Sequence, residues 1–237
     1  MQATTRRFGK WMARNSLYVA IMLVIYGAIR LDAMGGDTPL PPTDRLGNAL
    51  PESFEARMAR LQAVSLFNDG GMVEAVELAI LATIASVCVL IAMRHPDVRA
   101  TALTIGGLMA AMAIREQDYW FDRFAHGSWV VPAGLLAAGV AAYAWNKRRE
   151  LWPGLVEFVH TPGWGIFVGG GLIVMVFSRL MGQKALWNHL VDSPRLARNL
   201  KNMVEESLET AGYALLLCSL IEGIAALRAR RESGPGM

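Results

Sequence analysis

The chain has 237 residues, 54% of them hydrophobic and 18% charged, with a formal net charge of +3. So small a positive balance, with no basic stretch interleaved with aromatics beyond the N-terminus, argues against nucleic acid as a partner. A positive mean hydropathy, with long uncharged blocks separated by short charged ones, argues against an ordinary soluble domain.

Taken in chain order, "TTRRFGK" opens the sequence. It departs from a twin-arginine export signal, because Phe8 follows Arg7 directly and no small-residue cleavage site comes after the apolar run. An uncleaved first helix with a basic flank is expected. Uncharged runs then cover 15–29, 78–93, 100–114, 127–146, 164–178 and 210–221. Several fall short of the ~20 residues that cross a hydrocarbon core, and snorkelling flanks such as Arg94 extend them. The pattern predicts an all-α polytopic membrane protein, a bundle of six transmembrane helices forming one membrane domain over residues 1–237. The spans are placed at about 11–31, 72–93, 99–119, 128–147, 162–181 and 203–227. An outer-face segment, 32–70, joins the first two, and Phe54, Met58, Leu61 and Val64 recur within it at helical spacing. That spacing predicts an amphipathic helix lying in the interface.

Local signals refine the ends. Thr161-Pro162 and Ser193-Pro194 each set a hydroxyl before a proline, the expected start of a helix. A last helix begun at Pro194 runs to about Arg228, longer than one crossing. Gly165 and Gly169 form a small-xxx-small pair, and the run Gly169-Gly170-Gly171 permits close packing or a kink. Cys88 and Cys218 stand singly inside apolar blocks and read as packed thiols.

Basic density sets the orientation. With the N-terminus inside, the inner segments 1–14, 94–99, 146–163 and 227–237 hold 12 lysines and arginines in 49 positions. The outer segments 30–77, 115–127 and 179–209 hold 11 in 92. This asymmetry predicts an integral protein of the cell's inner membrane with both termini cytoplasmic. The carboxylates go the other way, 15 outside against 4 inside.

Those carboxylates define the candidate site. Glu74 and Glu77 open the second span, where the helix dipole accounts for a negative charge. The stretch "REQDYWFDRFAHGSW" closes the third with Arg115, Glu116, Asp118, Asp122, Arg123 and His126, amid aromatics suited to an interfacial belt. Glu205, Glu206 and Glu209 enter the sixth. Glu205 and Glu209 share a face that continues through Gly212, Leu216, Ser219 and Gly223, a face for protein rather than lipid. Ionisable groups at membrane depth need a partner: an arginine, a proton or a cation. Arg30, Arg115, Arg179 and Lys184 are placed to provide one, and Lys201 to neutralise Glu205.

Two expectations follow, with a third beside them. In one, Glu116 and Glu209 act as catalytic carboxylates, with Asp118, Asp122, His126 and Glu205 as ligands of a divalent metal. Arg115, Arg123 and Glu206 then bind substrate. The function is an acidic outward-facing site for a cation or polar substrate, extending to metal-assisted hydrolysis of a lipid-like molecule. In the other, the carboxylates form structural ion pairs in a non-catalytic membrane subunit, held to a membrane-protein partner or a second copy. A small cation- or proton-coupled transporter is a third reading, though the halves show no inverted similarity. The lipid bilayer is the expected surrounding in each.

Overall fold

The computed structural model describes residues 13–14, 16–21, 72–191 and 194–232. The chain divides into two compact units, Met1–Val73 with Arg179–Glu206, and Glu74–Ser178 with Ser207–Met237. Residues 13–14 and 16–21 are helical, and from Met72 on the described residues form helices α1 (Met72–Arg94), α2 (Arg99–Arg115), α3 (Asp118–Asp122), α4 (Val130–Asn146), α5 (Arg148–Val159), α6 (Pro162–Met181), α7 (Lys184–Leu190) and α8 (Pro194–Glu232). No strand occurs among them.

Four of these helices are long and apolar enough to cross a membrane: Val73–Arg94, Pro96–Arg115, Pro162–Met181 and Leu200–Glu232. The all-helical expectation holds among the described residues, and four such helices are found there where six spans are expected. The fifth candidate, α4, is apolar but has 17 residues, roughly 25 Å of helix against a hydrocarbon core of about 30 Å. The expected first span lies largely outside the described residues, and the interfacial helix around Phe54–Val64 lies wholly outside them. Outward-facing apolar side chains such as Met93, Val131, Leu135 and Met175 are more than half exposed, a surface that suits lipid and not water.

The second unit is built on tight turns. α1 carries Glu74 in its first turn and Arg94 in its last, both complementary to the helix dipole. His95-Pro96 then ends it, since the residue before a proline resists helical geometry. One 3-10 turn, Pro96–Val98, leads into α2. Gly106 of α2 lies against Cys88 of α1, where an added Cβ would come within 2.7 Å of the cysteine Cβ. Only glycine allows that approach. α2 stops at Arg115, short of the expected 119, because Glu116 and Gln117 close it with bonds to the Met112 and Ile114 carbonyls. Gly127, with φ +75°, makes the turn into α4, which packs along α2.

α5 joins α4 to α6 and packs against α2 and α6. The Thr101 hydroxyl of α2 donates to its Leu151 carbonyl at 3.2 Å. The Thr161 hydroxyl does not cap α6 as its position suggests; it reaches back to the Phe158 carbonyl at 2.7 Å and closes α5 instead. Ser193 lies outside the described residues. Within α6, Ile173–Phe177 form a π turn. Gly170 meets Gly212 of α8, while Gly165, Gly169 and Gly171 have nothing within 4 Å of a Cβ position among the described residues. The close-packed glycine is thus not one of the expected pair.

α8 runs from Pro194 to Glu232, near the predicted limits. Its Gly212, Leu216 and Ser219 are buried, so the small-residue face does meet protein. Cys88 and Cys218 are each 3% exposed, packed as expected.

Candidate functional site

Four helices of the second unit converge at one end. α1 contributes Glu77, the end of α2 contributes Arg115 and Glu116, α6 contributes Ser178, and α8 contributes Glu209, Thr210 and Tyr213. Glu77, Glu116 and Glu209 are 0%, 8% and 2% exposed, and one carboxylate oxygen from each lies within 4.8 Å of the others. The opposite end of the unit is marked by Arg230, which reaches Asp97 at 3.0 Å and Glu157 at 2.7 Å, and by Arg231 beside His95.

Each carboxylate is held by a donor from another helix. Tyr213 donates to Glu116 at 2.5 Å, and Thr210 donates to Glu77 at 2.5 Å. Arg115 donates to Glu209 at 2.9 Å and lies 3.4 Å from Glu116. The Ser178 hydroxyl, with one proton to give, is 2.6 Å from the Val174 carbonyl and 3.1 Å from Glu209. α8 does this with one face, because residues 209, 210 and 213 lie within about one turn.

The arrangement can hold positive charge. Carboxylates this close repel one another, and in apolar surroundings that repulsion is little screened. Arg115 supplies one cation between two of them. Oxygens up to 4.8 Å apart also fit opposite sides of one ion whose ligands sit at about 2.4 Å, as they do around calcium.

The expected site residues are therefore distributed unevenly. Glu116, Glu209 and Arg115 meet. Asp122, the last residue of α3, bonds at 2.8 Å to His126 in the exposed turn that follows, and Asp118 lies exposed on α3. The Gly127 N–H, at 2.7 Å, and then His126 hold the Asp122 carboxyl below its ordinary range by bonding its charged form. Arg123 lies over Trp120, 4.5 Å from the ring centre, and donates to the Tyr119 hydroxyl. In the first unit, Glu205 pairs with Lys201 at 2.6 Å, as anticipated, and with Arg179 at 3.1 Å, while Glu206 is partly buried on α8.

Glu77 is the residue sequence reasoning set aside. The dipole argument covers a helix's first turn, and Glu77 is the sixth residue of α1. Counting from Met72 would have shown that it needs another explanation. The chain matches no protein-family model, no curated protein and no solved structure.

Proposed function

We propose that this is an integral membrane protein that binds a divalent cation through Glu77, Glu116 and Glu209. The observation that carries this reading is the approach of three buried carboxylates to within 4.8 Å of one another. Their orientation by Thr210, Tyr213 and Ser178 supports it, since ligating carboxylates are themselves hydrogen-bonded. The oxygen-only donor set favours a hard ion such as calcium, magnesium or manganese over zinc. Basic density favours the cluster facing outward from the inner membrane, because the opposite end of the unit carries segments 94–99 and 146–163. A cation there would polarise an ester group at the bilayer surface, which is the route to metal-assisted hydrolysis of a lipid-like substrate.

The Arg115 contacts favour a second reading, a structural ion-pair network in a non-catalytic subunit. Metal per chain, measured by elemental analysis of protein purified in mild detergent, separates the two. Near-stoichiometric metal that is lost in both Glu77→Gln and Glu209→Gln supports the cation site. No metal in the unaltered protein, with lower melting temperatures in both variants, assigns the carboxylates to structure.

A further inference from the structure

The helices that carry the carboxylates, together with α5 and α6, also line an elongated, half-open apolar cavity. Its lining starts at Ile84, Met109 and Leu216, each seven residues along its helix from Glu77, Glu116 and Glu209. Leu81 and Tyr213, both fully buried, fill the layer between cavity and carboxylates. From there the lining continues to Ile91, Val98 and Leu227, at the end where Arg230 meets Asp97 and Glu157.

Three properties identify an occupant. The first is length: the lining runs along α8 from Leu216 to Leu227, a rise of roughly 16 Å. One leaflet, half of a hydrocarbon core about 30 Å thick, has nearly the same depth. The second is polarity. The hydroxyls of Thr101, Thr161 and Ser219 donate to the carbonyls of Leu151, Phe158 and Gly163, and the one charged lining residue, Glu157, pairs with Arg230. An occupant therefore meets apolar walls until it reaches that rim. The third is charge. Arg94, Arg99, Arg148, Arg149 and Arg228 are exposed at the same end of the unit, a basic surface that attracts anionic headgroups.

We infer that this cavity holds one acyl chain of an anionic membrane phospholipid, with its headgroup at the basic rim. Left unfilled, such a cavity forfeits packing along its length. The inference stands apart from the cation reading, since it uses neither the carboxylates nor a metal.

Photocrosslinking tests it on the unaltered protein. The chain is reconstituted in phosphatidylcholine vesicles containing phosphatidylglycerol with a diazirine on one acyl chain, irradiated, and its adducts mapped by mass spectrometry. Adducts within residues 84–91 and 216–227 are expected, with lower yield when the diazirine is carried by phosphatidylcholine. Gly223→Leu and Ala102→Leu each put a side chain into the lined space, and at native packing density either should cut those adducts by roughly tenfold. Adducts confined to outward residues such as Leu135 and Met175 overturn the site. Equal yields from the two headgroups, measured on the unaltered chain, overturn the choice of an anionic lipid. Undiminished cavity adducts in both variants overturn the placement of the chain.

Discussion

Glu116 stands at the C-terminal cap of α2, the end of a helix where the dipole disfavours a carboxylate, and it is 8% exposed. Two unfavourable terms must be offset locally, and the partners that do so are Arg115 at 3.4 Å and the Tyr213 hydroxyl at 2.5 Å. Tyr213→Phe keeps the ring and removes the donor, so it should destabilise the protein by about 1–3 kcal/mol, the cost of leaving a buried acceptor without its bond. In Glu116→Gln the charge is gone, and adding Tyr213→Phe should then cost measurably less. Thermal melts of the two single variants and the double variant close that cycle; equal cost in both backgrounds would show that the phenol does not hold Glu116. The two acids were legible in the sequence because charge is rare inside apolar blocks. Tyr213, Thr210 and Ser178 were not, because a hydroxyl in an apolar helix carries no sign of what it faces.

At the scale of the element, α6 and α8 cross where Gly170 meets Gly212. A Cβ on Gly212 would collide with the Val174 side chain and approach the Gly170 carbonyl at 3.0 Å. Val174 is itself fully buried and belongs to the π turn that precedes Ser178, so it has little room to yield. Gly212→Ala should therefore cost about 1–3 kcal/mol by overpacking. Gly171→Ala, with no described residue within 4 Å of its Cβ position, should be neutral or stabilise by up to ~1 kcal/mol through helix propensity. Melting temperatures in one detergent check the contrast, and similar losses at the two positions would refute the crossing. The glycine run announced close packing in general terms. Which of its members touches α8 depends on the rotation of α6, and a short stretch of small residues does not specify that.

For the molecule as a whole, the contacts within the second unit decide what α4 must do. α2 begins beside Asp97, at the Arg230 end, and finishes at Glu116, among the carboxylates. α6 begins where Gly163 accepts from Ser219, close after Glu157 of the Arg230 cluster, and reaches Glu209 through Ser178. The chain between Glu116 and Lys147 must therefore return from one end of the unit to the other, and α4 is the helix available for it. Its 17 residues fall a few ångströms short of the core, a mismatch that in a crossing helix is absorbed by interfacial aromatics, here the flanking Trp129 and Trp145, and by local thinning. The sequence pattern already marked this stretch as a span by its lack of charge. Its length alone left the matter open, and only the partners of its neighbours argue for a crossing. Cysteines placed at Ser128 and Lys147, with Cys88 and Cys218 replaced by alanine, make this testable in intact cells. A membrane-impermeant maleimide should label Ser128→Cys from outside and Lys147→Cys only after lysis, matching the basic density of segment 146–163. Labelling of both from the same side would mean that α4 does not cross. The reverse pattern would keep the crossing but invert the protein, turning the carboxylate cluster toward the cytoplasm.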